Sequence, residues 1–274
     1  MRVSALREKL ARYYKELEVG EVPRAVALSE HFNEKTLEVV LEIRPRVISF
    51  HYGLPNPKLF CPIKEAGLFT ISSATTVREA MIIEENVFDA VIVQGYEAAG
   101  HRGTFDGAYE KGLVGTMALV PQIADAVAVP VIAAGGIMDG RGIAAALALG
   151  AEAVQMGTAF LNCPESSISD TYRNQLAKSR GEQTRFTSAF SGRLARGIEN
   201  RFIREMKESE SDFPDFPIQN ALTGPLRTAS AMAGSPDFIS LWAGQGCGMS
   251  RSMPAPDLMD MLIKETDEVL KKIG

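Results

Sequence analysis

Residues 91–105 read V-I-V-Q-G-Y-E-A-A-G-H-R-G-T-F, and this stretch decides the fold. The β-branched run Val91-Ile92-Val93 ends at Gln94-Gly95, and His101 follows six residues after Gly95 in a loop of small residues. A buried strand that stops at an amide and releases such a loop is how an α/β enzyme aims a catalytic group at a pocket. A surface loop with an incidental histidine would carry the same letters, so the flanking sequence has to decide.

Working outward, short apolar runs alternate with helical patterns. Val47–Phe50, Leu68–Ile71, Ala90–Val93, Val131–Ala134 and Ala153–Met156 read as five strands. They are apolar on both faces, as parallel strands covered by helices are. Between them, Thr75 or Thr76 can cap a helix over 77–86, with Glu79 completing a capping box. Residues 115–127 continue as a helix up to Pro130. Asp139 precedes a helix over 141–149 that Gly150 ends. This β-α alternation implies right-handed crossovers and a parallel sheet.

The ends differ. The start, M-R-V-S-A-L-R-E-K-L-A-R-Y-Y-K-E-L-E, places Val3, Leu6, Leu10, Tyr13, Tyr14 and Leu17 at helical spacing. It lacks the continuous apolar core of a signal peptide, and its acids disfavour a transit peptide. After Leu161 the strand rhythm stops. Residues 165–180 read as a helix, 184–201 have no clear period, and 208–217 form an acidic, proline-bearing linker. Three helical patterns follow. The expected division is a helical segment 1–44, a β/α portion 45–164, and a helical region 165–274.

The 274 residues are 46% hydrophobic and 23% charged, which suits a globular chain with a sizeable core. A net charge of −5 and no Lys/Arg tract speak against a nucleic-acid partner. No apolar run is long enough to span a bilayer. Cys61, Cys163 and Cys247 are odd in number and far apart, which suits free thiols in the cytoplasm. His31, His51 and His101 lack metal-ligand spacing, so no metal site is expected.

Two loops are shaped to hold a phosphate. Gly135-Gly136 follow one strand and open a helix, where uncovered N–H groups, positive φ and a helix N-terminus favour an anion. One strand later, Gln155-Met156-Gly157-Thr158 repeats the arrangement. Paired glycine loops late in a β/α series commonly seat a phosphate.

With these segments in view, the chain resembles the nitronate monooxygenase family, formerly 2-nitropropane dioxygenases. The likeness rests on S-F-H-Y-G-L-P (49–55), V-Q-G-Y-E-A-A-G-H-R-G (93–103), V-P-V-I-A-A-G-G-I-M-D-G-R-G (129–142) and V-Q-M-G-T-A-F-L (154–161). A-F-S-G-R-L-A-R-G (189–197) and L-W-A-G-Q (241–245) add to it. The resemblance implies a (β/α)8 TIM barrel, an FMN cofactor, and oxidation of alkyl nitronates or nitroalkanes by O2. It implies His101 as the catalytic base and Gln94, Gly100, Gly135, Gly136, Gln155, Met156, Gly157 and Thr158 as flavin contacts. His51 would line the substrate pocket. An imidazole with an ordinary pKa of about 6.5 suits proton abstraction near neutral pH.

Two features depart from the family pattern. Ala99 stands where E-A-G-G-H would place glycine; at positive φ an alanine there costs about 1 kcal/mol. The five strands also fall short of the eight that close such a barrel. The chain therefore reads as an N-terminally truncated barrel of about five β/α units plus a C-terminal helical appendage. An open sheet leaves two edges, which a homo-oligomer or another chain would cover. Two alternatives stay open: an FMN-dependent enoyl reductase, and a non-catalytic remnant that binds a phosphate ligand or a partner chain.

Overall fold

A computed structural model describes residues 2–23 and 32–273. Within these the chain forms two compact units.

The unit comprising residues 32–98, Arg102–Met156 and 259–273 holds the parallel sheet. Its strands are β1 (Val47–Phe50), β2 (Phe69–Ala74), β3 (Ala90–Gln94), β5 (Val131–Ala134) and β6 (Ala153–Gln155); β4 (Gly100–His101) belongs to a separate sheet. The order β1-β2-β3-β5-β6 follows the chain, and every pairing is parallel. All five expected strands form: β1 and β5 have the expected bounds, β3 and β6 differ by one residue at one end, and β2 starts one residue later and ends three residues later. Among the described residues the sheet is an open one: β1 and β6 are its edges, and no barrel closes. Burial tracks this. β3 is buried throughout, whereas β1 and β6 are partly exposed, with Val47 at 50%.

Helices α2 (Glu34–Ile43), α3 (Pro57–Glu65), α4 (Val77–Glu85), α5 (Thr116–Ala124) and α6 (Gly140–Ala148) alternate with these strands. Val91, Val93, Val131 and Ala133 meet Ala80, Ile83, Leu119, Val120 and Ile123 from the helices in one apolar core. Ile71, Ala90, Ile92 and Ala134 form a second, smaller cluster. The two alternating sets of strand residues thus bury both faces, as the unbroken apolar runs required. Gly150 follows α6 at φ +97°, the left-handed turn that ends the helix.

The other unit comprises residues 2–23, Ala99–His101 and Gly157–Leu258. Here the expected helical region needs correction. Helices α7 (Asp170–Lys178), α8 (Arg201–Met206) and α9 (Ile218–Met232) are present, but so are strands β7 (Thr184–Thr187) and β8 (Ala195–Ile198). They form a three-stranded antiparallel sheet, β4-β8-β7, with Gly100–His101 as one edge. Helix α1 (Arg2–Glu16) buries Leu6, Leu10, Tyr13 and Tyr14 against Phe190, Phe202, Leu222 and Phe238. Its amphipathic spacing is therefore a packing face. The last helix, α10, runs Ala255–Ile273. Among the described residues no helix is long and apolar enough to cross a membrane.

Candidate active site

The parallel sheet aligns its carboxyl ends. In the pairing register Gln94 faces Ala134 and Ala134 faces Gln155, so one row crosses three adjacent strands. Gly135 and Met156 are then the first residues beyond neighbouring strand ends. Open α/β sheets bind ligands at this edge.

Gly135 and Gly136 adopt φ +113° and +75°. Only glycine takes such angles at no steric cost. A Cβ on Gly135 would come within 3.0 Å of the Ala98 nitrogen, and one on Gly136 within 3.2 Å of Glu97 Cβ. The Glu97 carboxylate accepts from Thr116 N (2.9 Å) and Thr116 Oγ1 (2.8 Å), and the same hydroxyl lies 2.9 Å from the Gly135 carbonyl. Glu97 therefore organises the glycine loop.

One expectation is revised here. The α6 N-terminus is already occupied by carboxylates. Asp139 caps it, accepting from Arg141 N (3.0 Å) and Gly142 N (3.2 Å), and Glu265 accepts from Gly140 N (3.1 Å). The preceding loop differs: there Gly136 is exposed. Burial pushes the Asp139 carboxyl up, but the Arg141 side chain and the two amides outweigh it and hold it below the usual carboxylate value. Its unfolded pKa is about 3.9. The contribution to stability is thus present above that pH and lost as pH falls through the lower folded value. Asp139→Asn is expected to lower the urea midpoint near neutrality yet flatten its decline below roughly pH 4, read from denaturation curves across that range.

His51 directly follows β1. Tyr52 takes φ +70° and Gly53 +99°, a left-handed turn that is rare for a bulky residue and redirects the chain at this edge. A Cβ on Gly103 would fall 2.8 Å from the His51 ring, so glycine there admits the imidazole. Gly103 N also donates to Gln94 Oε1 at 2.8 Å. His51 and Gln94 are thereby brought together on Gly103.

The segment after His101 is pinned by two buried charges that the sequence reading did not single out as anchors. Arg102 is 1% exposed, and its guanidinium donates to the carbonyls of Gln94 (2.8 Å), Gly95 (2.6 Å) and Gly112 (2.6 Å). Glu79 is fully buried. Thr76 caps α4 as expected, accepting from Glu79 N, but the Glu79 carboxylate turns to Thr75 N, Thr75 Oγ1, Phe105 N and Asp106 N. It is a loop anchor as well as a first-turn acid.

In the other unit, His101 is half-buried and its Nε2 lies 2.7 Å from Ser191 Oγ. Trp242 and Phe216 flank the ring at centroid distances of 5.6 and 6.1 Å. Tyr172 donates its hydroxyl to the Trp242 carbonyl, and burial pushes that phenol's pKa well up, so it stays a donor. Thr158 Oγ1 accepts from Gly244 N at 3.1 Å, tying Thr158 to the L-W-A-G-Q segment. Gly157 is exposed, with open space where a Cβ would stand. Positive φ falls on Gly100 (+69°) and not on Ala99, so the alanine carries no backbone strain.

Other readings change less. Cys61 is exposed, while Cys163 and Cys247 are buried; all three are unpaired. Arg201 pairs with Glu16 and Glu205, whereas Arg196 is buried, its guanidinium 4.1 Å from the Phe186 ring centre. Among the described residues no His/Cys/Asp/Glu group could hold a metal, and His31 lies outside them.

A parallel sheet with covered faces and loops of glycine, glutamine and histidine at its carboxyl edge defines an α/β enzyme fold. Residues 3–265 match the family model described as nitronate monooxygenase. A probable nitronate monooxygenase of Staphylococcus aureus (strain JH9) is 42% identical over 252 residues, covering 92% of this chain and 71% of the relative. The crystal structure of nitroalkane oxidase from Streptomyces ansochromogenes has TM-score 0.90 at 37% identity, over 100% of this chain and 78% of that one. FabK from Thermotoga maritima has TM-score 0.75 at 33% identity, over 90% and 76%. The chain belongs to the nitronate monooxygenase family, a family of flavin-dependent oxidoreductases.

Proposed function

We propose that this protein is an FMN-dependent oxidoreductase that oxidises alkyl nitronates and nitroalkanes with O2, on a β/α scaffold of the TIM-barrel type. The observation that carries the reading is the row Gln94, Ala134 and Gln155 at the sheet's carboxyl edge, continued by the positive-φ pair Gly135-Gly136.

These residues fit a flavin phosphate. Gly135 and Gly136 hold angles that side chains resist, and Gly136 presents exposed backbone. Gly157 likewise has open space at its Cα. Backbone N–H groups at such loops are good anion partners. Gly135, Gly136, Gln155, Met156, Gly157 and Thr158 would hold the phosphate side, and Gln94 and Gly100 the ring side. When bound, FMN supplies the redox chemistry, passing electrons from the nitronate to O2. The protein's own part is to bind, orient and move a proton. His101 takes the α-proton of a neutral nitroalkane or orients a nitronate that is already anionic. His51, packed on Gly103, lines the substrate side. The three unpaired cysteines suit a reducing, cytoplasmic setting.

Purified protein, as isolated or after incubation with FMN, is expected to show a flavin absorbance band at about one equivalent. It should consume O2 with a nitroalkane or its nitronate. NAD(P)H-dependent reduction of an enoyl thioester without nitroalkane oxidation would instead favour the reductase alternative. Colourless protein that FMN does not reconstitute would sink the proposal.

A further inference from the structure

We infer that Thr116 is a positioning residue for the cofactor's phosphate: its hydroxyl fixes the orientation of the Gly135–Gly136 peptide and so turns the Gly136 N–H outward. The phosphate half of this statement rests on the proposed FMN site; the peptide half does not.

Thr116 is the first residue of α5 and is 9% exposed. Its Oγ1 lies 2.9 Å from the Gly135 carbonyl oxygen and 2.8 Å from Glu97 Oε2. The hydroxyl has one proton, which these two acceptors share. Glu97 holds the threonine from a second side, since it also accepts from Thr116 N at 2.9 Å. That bond puts the carboxylate at the α5 N-terminus, where Gly115 offers no side-chain cap. The threonine is thus fixed through both its backbone and its hydroxyl.

The consequence lies in the peptide unit. The bond between Gly135 and Gly136 is trans, and in a planar trans peptide the C=O and the N–H point in opposite directions. With the Gly135 oxygen drawn onto a buried hydroxyl, the Gly136 N–H points away from α5. Gly136 is itself exposed, and among the described residues no hydrogen bond uses its N–H. Both glycines sit at positive φ and lack side chains, so sterics alone leave this peptide free to turn over. It needs a tether to hold one orientation, and Thr116 supplies it.

The surrounding sequence makes room for the tether. A Cβ on Gly95 would collide with Thr116 Oγ1, and one on Gly135 would come within 3.2 Å of it. Gly95 N donates to the Ala134 carbonyl at 2.9 Å, so the ends of β3 and β5 are tied to each other next to the threonine. The N-termini of α5 and α6 already hold carboxylates, Glu97 on the first and Asp139 and Glu265 on the second. An anion at this edge is therefore left to the loop amides, and the direction of each N–H decides whether it contributes.

Titration of the full chain with FMN and with riboflavin, which lacks the phosphate, tests the inference. Thr116→Val keeps the branched shape and removes the hydroxyl. It should weaken FMN binding about 10- to 100-fold, the worth of one hydrogen bond to a charged group, and riboflavin binding less than about twofold. Thr116→Ser, which keeps the hydroxyl, should restore most of the FMN affinity. A valine variant that loses both flavins alike has only a structural defect and overturns the inference, as does one with wild-type FMN affinity. Crystal structures of the wild type and the valine variant, both without flavin, show the peptide itself. The Gly135 carbonyl should leave residue 116 in the valine variant, and an unmoved carbonyl overturns the tether. Should the wild type bind neither flavin, the FMN proposal falls and the crystal structures still decide the peptide.

Discussion

His101→Asn is expected to retain bound flavin and lose about 10²- to 10⁴-fold in turnover of neutral nitroalkanes, the usual contribution of a general base. Asparagine is smaller than histidine and its amide ends short of the Nε2 position, so the Ser191 contact is lost, but the β4-β8 pairing is made by backbone and should survive. What it lacks is a nitrogen that takes up a proton near neutral pH. The effect should therefore fall on the step that breaks a C–H bond. Steady-state kinetics with a neutral nitroalkane and with its preformed nitronate separate the two demands, and flavin absorbance reports the cofactor. A large loss confined to the neutral substrate places the imidazole on proton abstraction. Equal losses on both substrates would make it a binding group, and wild-type turnover would remove it from the mechanism.

The sheet was legible because parallel strands buried on two faces leave unbroken apolar runs. Val91-Ile92-Val93 and Val131-Ile132 stand out against turn residues, and all five strands form where such runs occur. The glycines at 135, 136 and 150 were legible too, since they mark backbone that other residues avoid. The antiparallel sheet was not. Its edge strand is two residues long, Gly100–His101, and its partner Ala195–Ile198 lies far along the chain. Two-residue strands leave no periodicity, and nonlocal pairing leaves no local signal. Ser191 was within the quoted A-F-S-G-R segment, but a serine in a turn reads as an ordinary polar residue until the imidazole is seen against it. Glu79 shows the converse: its place three residues after Thr76 gave the right cap, while its carboxylate answers to amides 26 and 27 residues away.

Glu79→Ala is accordingly expected to cost about 3–5 kcal/mol of stability, because the buried Thr75 amide and the part-buried amides of Phe105 and Asp106 lose their acceptor together, at about 1–3 kcal/mol each. The carboxylate is fully buried and takes hydrogen bonds from Thr75 N (2.6 Å), Thr75 Oγ1 (2.7 Å), Asp106 N (3.0 Å) and Phe105 N. Truncation leaves three backbone donors facing a small void. Thr75 Oγ1 can turn to Thr104 Oγ1, 2.8 Å away, so the hydroxyl is the one donor with a ready substitute. Glu79→Gln keeps the volume and one acceptor oxygen but aims an NH2 at an N–H, so its cost should be smaller, about 1–3 kcal/mol. Urea denaturation ranks the three proteins, and amide exchange at Phe105 and Asp106 should quicken in the order wild type, glutamine, alanine. The loop anchor would be refuted by an alanine variant within about 0.5 kcal/mol of wild type, the range of an ordinary surface change. If exchange quickens at these two amides while the β2 and β3 amides keep their protection, Glu79 holds the 102–106 segment and leaves the sheet independent of it.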